Sequence, residues 1–147
     1  MNCKIIAEIG WNHMGDMVLA KEMISAASES GADYAKFQTW SVANLKDGPW
    51  NEDGRLDIYK KAELSKEQHY ELLGYCKSLN IEFLTSIFNI HDAEWLAEVS
   101  NHAIKIPSHE VYNIELIKAV DGKFKKLFVS TGAATWTEVE AIPHAIE

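Results

Sequence analysis

The chain has 147 residues, 47% of them hydrophobic, with 22 acidic against 14 basic side chains and a formal charge of −8. That is the size of one domain with enough apolar mass for a core, and an acidic balance without a basic tract argues against nucleic acid or an anionic membrane surface as partner. No run approaches the ~18 apolar residues of a membrane-spanning helix, and Cys3 and Cys76 lack metal-ligand spacing, so a soluble, cytoplasmic protein with reduced core thiols is expected.

Five short apolar segments follow one another, each ending on polar, reaction-capable residues before a turn and a helix. The first covers residues 4–8. Its turn, Ile9-Gly10-Trp11-Asn12-His13-Met14-Gly15, leads to a helix predicted over 17–30, with Asp16 as N-cap, an apolar stripe of Leu19, Met23, Ile24 and Ala27, and Gly31 as the stop. The second segment, 33–38, runs into one long connection, 39–64, punctuated by Gly48-Pro49 and Asp53-Gly54. A helix over 66–79 follows, opened by Ser65 and Gln68 at capping-box spacing. Strands over 82–86, 103–108 and 127–131 alternate with helices over 92–99 and 112–120, and a last helix begins near Trp136 with Thr135 and Glu138 in the capping positions.

Strand–helix alternation predicts a parallel sheet with helical crossovers, an α/β fold whose ligands bind at the carboxyl ends of the strands. An open doubly wound sheet accommodates five strands. A closed eight-unit barrel of the TIM type needs ~250 residues. The sequence stops inside its fifth helix and reads as cut, which leaves an open sheet and part of a larger barrel as alternatives.

Those strand ends carry the chemistry. Glu8, on an otherwise apolar strand, is costly to bury without a partner or a purpose; an ion pair with Lys36 or Lys105, or a catalytic role, accounts for it. Asn12 and His13 are placed to orient a ligand, His13 as a hydrogen-bonding turn residue rather than a lone metal ligand. Lys36 and Lys105, each between apolar neighbours, need an anion, and on alternate barrel strands they would face one carboxylate or phosphate. Ser86, Ser108, Ser130 and Thr131 add hydroxyl donors, and Gly132 leaves backbone amides open to close approach. Gln38 shares the face of Lys36 and suits sugar hydroxyls. Glu110 would accept from a ligand hydroxyl or serve a helix N-terminus. Trp40, Trp50 and Tyr59 in the long connection suit stacking on a sugar, or pack on the loop itself. There is no nucleophile triad, no Gly-x-x-x-x-Gly-Lys phosphate loop and no Gly-x-Gly-x-x-Gly fingerprint, so nucleotide chemistry loses its support.

These segments resemble the sialic acid synthase (N-acetylneuraminate synthase) family and its legionaminate and pseudaminate relatives. The resemblance rests on five motifs, one per strand and in the family's order. They are Ala7-Glu8-Ile9-Gly10-x-Asn12-His13-x-Gly15; Gly31-Ala32-Asp33 through Lys36-Phe37-Gln38-Thr39; Phe83-Leu84-Thr85-Ser86-x-Phe88; Lys105-Ile106-x-Ser108; and Ser130-Thr131-Gly132. The chain departs from the family pattern at Met14 (usually Asn), in Thr85-Ser86-Ile87-Phe88-Asn89 (usually Ser-Thr-Pro-Phe-Asp) and at Ala133 (usually Met).

The resemblance implies a phosphoenolpyruvate-dependent, carbon–carbon bond-forming synthase (a transferase) of cell-surface carbohydrate biosynthesis. It would condense phosphoenolpyruvate with an N-acyl amino-sugar aldehyde such as N-acetylmannosamine and release phosphate, in a barrel that binds manganese or magnesium. By the same resemblance Lys36, Ser86, Lys105, Ser108 and Ser130 hold phosphoenolpyruvate, Glu8 orients or protonates the aldehyde oxygen, and Gln38 and Glu110 contact the sugar. It also implies that residues 1–147 are the N-terminal part, about five β/α units, of a (β/α)8 barrel, with three further β/α units, the metal's histidine ligands and a small antifreeze-like domain outside these residues. The full-length protein would be a homodimer and the 147 residues alone inactive. Two alternatives stay open: a non-catalytic truncated barrel that binds an anion or assembles with another chain, and a related phosphoenolpyruvate-dependent ulosonic-phosphate synthase.

Overall fold

The computed structural model describes residues 3–45, 47–144 and 146. Strands β1 (Ile6–Gly10), β2 (Tyr34–Thr39), β3 (Glu82–Ile87), β4 (Ile104–Ile106) and β5 (Leu127–Val129) lie in one parallel sheet in sequential order. They alternate with helices α1 (Met17–Glu29), α2 (Arg55–Ala62), α3 (Lys66–Ser78), α4 (Ala93–Val99), α5 (Ile114–Val120) and α6 (Trp136–Ala141). This is the α/β arrangement that the alternation predicts, a TIM-type fold represented by five β/α units. Among the described residues no helix is long and apolar enough to cross a membrane. The chain divides into two compact units, Met1–Leu84 and Thr85–Glu147, with the division falling inside β3.

In the first unit the capping residues act as read. Asp16 accepts from the amides of Val18 and Leu19 at 2.8 and 3.1 Å, and Ser65 and Gln68 close a reciprocal capping box on α3. The buried faces of α1 (Ala20, Ile24, Ala27) and α3 (Leu72, Cys76) pack with Ile9, Ala35, Phe37 and Phe83. Side chains alternate along a strand, so Ala7, Ile9, Ala35 and Phe37 face the helices. Glu8, Lys36 and Gln38 therefore take the other face of the sheet.

The second unit repeats the division. Ile87, Ile104 and Ile106 pack with Leu96, Leu116, Ile117 and Val120, and Leu127 and Val129 lean on the same core. Ser86 is in register with Lys105, and Lys105 with Phe128, on the face the helices leave. Helix α5 begins at Ile114, later than the expected 112, because the Asn113 side chain accepts the Leu116 amide at 3.1 Å and sets the cap there.

Two expectations need correction. Strand β1 starts at Ile6, and Cys3 lies exposed before it rather than in the core. Only Cys76 is a core thiol, and burial pushes its pKa up to about 12, which leaves it inert. The stretch 39–64, read as an unbroken connection, contains α2 and two short 3-10 turns, Val42–Asn44 and Pro49–Asn51. Helix α2 fully buries only Ala62, spans just eight residues and starts at Gly54 without a side-chain cap, so neither length nor a capping signal reveals it.

Met14 sits at φ +50° in the β1–α1 turn, the left-handed region, where a side chain beyond Cβ is strained and asparagine is tolerated. Met14 is exposed, so Met14→Asn forfeits little burial. It is expected to stabilise the protein by roughly 0.5–1 kcal/mol, read as a raised urea midpoint at constant slope; a lowered midpoint would contradict the strain.

Two histidines are fully buried in this unit, His13 and His69, and burial holds both pKa values below the usual 6.5. Above pH 6.5 both are neutral, folded or unfolded, and cost nothing. Below it the unfolded chain takes up protons that the folded chain refuses, so stability is lost as pH falls towards the lower folded-state values. Urea unfolding is expected to give a lower free energy at pH 5.5 than at pH 7.5, with His13→Phe or His69→Phe flattening the difference. A pH-independent stability across that window would rule this out.

Candidate functional site

The first unit builds its site around a buried cation. The Lys36 ammonium lies 2.6 Å from Glu8 Oε2; the lysine side chain is 3% exposed and the glutamate 54%. The two residues are directly opposed in the β1/β2 register, and the register slips by one residue between Glu8 and Gly10. That bulge, with Gly10 at φ +59°, turns the end of β1. Gly10 also lies against the polar groups of this face. A Cβ there would stand 3.3 Å from Glu8 Oε1 and 4.0 Å from Gln38 Nε2, so the carboxylate and the amide flank the same spot.

The turn that follows is self-supporting. Asn12 donates through Nδ2 to the Ile9 carbonyl at 2.8 Å and stays exposed. His13 accepts the Gly15 amide on Nδ1 at 3.1 Å, which puts its proton on Nε2, and its ring tilts against Phe37 at 5.9 Å. His13 was expected to hydrogen-bond the turn, and it does. Being fully buried against a helix-facing phenylalanine, it is not among the side chains a ligand could touch at the rim, a correction to its place among the ligand-orienting residues. Gly15 has no room for a side chain, since a Cβ would meet the Lys61 carbonyl oxygen at 1.9 Å.

That contact belongs to a larger clamp. Tyr59 of α2 packs edge-on against both Trp11, at 6.1 Å, and Trp40, at 6.0 Å. Trp40 and Tyr59 therefore pack on their own chain instead of offering free sugar platforms, and the Trp50 side chain lies outside the described residues. The backbone leaving β2 is fastened twice more. His69 Nε2 meets Thr39 Oγ1 at 2.7 Å, and Glu63 accepts the Val42 amide at 3.0 Å. Sequence patterns give no sign of these ties, because each joins residues 19 to 48 positions apart through the tertiary fold.

In the second unit the expected donors gather at the carboxyl ends of β3, β4 and β5. Ser86 is buried beside Lys105 in the register. The Ser130 amide donates to the Ile106 carbonyl at 3.1 Å, and a Cβ on Gly132 would reach the Ser108 side chain at 4.0 Å. Ser108 opens a 3-10 turn that ends at Glu110, whose Oε2 accepts from Asn113 Nδ2 at 2.8 Å while part of the residue remains exposed. Thr131 is exposed, its carbonyl accepting the Ala134 amide at 3.1 Å. His109 stacks near Phe88 at 5.5 Å. Each unit thus presents a lysine and hydrogen-bonding groups on the helix-free face of its strands, with the Glu8 carboxylate beside the lysine in the first, a composition suited to an anion with hydroxyl or carbonyl neighbours. Among the described residues no group of three or more His, Cys, Asp or Glu is placed to hold a metal ion. The residues present do not by themselves furnish a cation site.

Known proteins share this arrangement. The chain is 37% identical to the N,N'-diacetyllegionaminic acid synthase of Campylobacter jejuni, a match covering 92% of this chain and 44% of that protein. It is also 37% identical to the enzyme of the same name from Legionella pneumophila, covering 95% and 42%. A crystal structure of the N-acetylneuraminic (sialic) acid synthetase of Leptospira borgpetersenii in complex with citrate superposes with a TM-score of 0.85 at 30% identity, over 96% of this chain and 48% of that one. The chain spans less than half the length of these relatives. The NeuB family pattern matches residues 23–147, beginning within α1 and taking in every strand from β2 onwards, and with these relatives it establishes that the chain belongs to the NeuB family.

Proposed function

We propose that this chain supplies the phosphoenolpyruvate-binding side chains of a nonulosonic acid synthase, which joins phosphoenolpyruvate to an open-chain N-acyl amino-sugar aldehyde and releases phosphate. The observation that carries this reading is the Lys36 ammonium, almost dry on the helix-free face of β2 and balanced by a half-exposed carboxylate. An ammonium withdrawn from water interacts far more strongly with an anion than one on the surface. Phosphoenolpyruvate offers two anionic groups, and membership of the NeuB family supports Lys105 and the hydroxyls of Ser86, Ser108 and Ser130 as further donors.

The residues divide the work by charge. Lysines and hydroxyls favour the anionic partner, while Glu8, Gln38 and Glu110 accept from or donate to a polyhydroxylated one. In the reaction, C3 of phosphoenolpyruvate bonds to the aldehyde carbon and the aldehyde oxygen takes up a proton. Water adds its oxygen as phosphate departs, leaving a 2-keto acid. Glu8, with Oε2 on Lys36 and Oε1 near the open position at Gly10, is the group best placed to orient the aldehyde oxygen. Fixed donors aimed at a developing charge lower its barrier without reorganisation. The names of the similar proteins support an acceptor bearing N-acyl groups, and the citrate complex of one of them supports anion binding by this fold. Turnover is assigned to the full-length protein.

The test replaces the cation by a side chain of similar length. Lys36→Met in the full-length protein is expected to fold with a near-normal melting temperature, because an apolar residue removes the desolvation cost along with the ion pair. Phosphate release should fall by roughly 10²-fold or more. Lys4→Met, which breaks the exposed pair with Asp33 instead, should leave turnover unchanged. Equal kcat/KM in the wild type and Lys36→Met would sink the proposal.

A further inference from the structure

We propose that His69 is a positioning residue for the ligand-facing end of β2, acting through Thr39. The inference rests on the function proposed above and names a residue that touches no part of the substrate.

The hydrogen-bond donors fix the argument. His69 is fully buried in the first turn of α3, and its Nδ1 lies 2.8 Å from the Ser65 carbonyl oxygen. A carbonyl can only accept, so Nδ1 carries the proton. Nε2 is then an acceptor, and the Thr39 hydroxyl, 2.7 Å away, must donate to it. Thr39 is itself buried and follows Gln38 directly, three residues after Lys36. The Ser65–Gln68 capping box holds the turn that presents His69, and the ring meets Phe83 of β3 edge-on at 6.1 Å. Anchored on three sides, the imidazole is a fixed peg. Three residues further on, Glu63 accepts the Val42 amide at 3.0 Å, so the backbone leaving Gln38 is tied twice to the segment that enters α3. Lys36 and Gln38 are mounted on this length of strand, and small errors in the placement of reacting partners are expensive.

The experiment uses the 15N-labelled protein with phosphoenolpyruvate as the probe and three variants. Thr39→Val removes the hydroxyl at constant shape, His69→Phe removes the acceptor but keeps a ring against Phe83, and Thr39→Ser restores the donor. Long-range nitrogen–proton spectra are expected to show the Nδ1–H tautomer of His69 in the wild type. Thr39→Val and His69→Phe should each shift the Gln38 side-chain amide resonances and weaken phosphoenolpyruvate binding by about tenfold, and the double variant should be no worse than either alone. Thr39→Ser should recover both readouts. An Nε2–H tautomer, or a folded Thr39→Val with wild-type Gln38 resonances and affinity, would overturn the positioning role. A wild type that fails to bind phosphoenolpyruvate would refute the proposed function instead, while the tautomer and the Gln38 resonances still decide whether His69 positions the strand end.

Discussion

An ammonium group buried on a parallel strand is the constraint around which the first unit is arranged. Withdrawing Lys36 from water is unfavourable by several kcal/mol unless an anion and further hydrogen bonds compensate, as order-of-magnitude reasoning for buried charges indicates. Glu8 provides that anion from the adjacent strand at 2.6 Å. The pairing is lopsided, because the carboxylate keeps half its surface in solvent while the cation keeps almost none. Had the pair served stability alone, two apolar residues would have packed there at lower cost. The proposed function gives this lopsidedness a reason, because an incoming anion would find its charge partner already in position.

Much of the local backbone follows from keeping that pair accessible. The bulge between Glu8 and Gly10 and the positive φ of Gly10 turn β1 away just after the carboxylate, and the absent Cβ leaves Oε1 and Gln38 facing a shared gap. Behind it, α2 is pinned by Tyr59 between Trp11 and Trp40, and Gly15 lets the Lys61 carbonyl close onto the turn. The second unit applies the same division of faces: isoleucines of β3 and β4 pack on helices, and Ser86 and Lys105 take the opposite side. A single rule of strand alternation thus sorts apolar side chains from chemical ones in both units.

How much of this was legible in the sequence depended on whether the signal was local. Asp16, Ser65–Gln68 and Thr135–Glu138 announced helix starts because caps are decided within four residues. Glu8, Lys36 and Lys105 stood out because charge inside an apolar strand demands an explanation, and the pair of Glu8 with Lys36 was one of the partners weighed. Helix α2 escaped because it spans only eight residues and opens at Gly54 without a capping side chain; its tyrosine packs on distant tryptophans. His13 looked like a rim residue from its place in the turn, but the fold rotates it onto Phe37. Cys3, expected as a core thiol, lies exposed because the strand begins only after Lys4 and Ile5 have bonded to Asp33. The departure from the family's usual asparagine at Met14 acquires a physical meaning from its left-handed backbone, where asparagine is the better fit.

The most direct measurement is a crystal structure of the full-length protein with phosphoenolpyruvate bound. If the buried lysine exists to receive an anion, a carboxylate or phosphate oxygen of the ligand should lie at about 2.7–3.2 Å from Lys36 Nζ. Phosphoenolpyruvate bound elsewhere, with no oxygen within reach of that ammonium, would contradict the assignment and return the Lys36–Glu8 pair to a purely structural role.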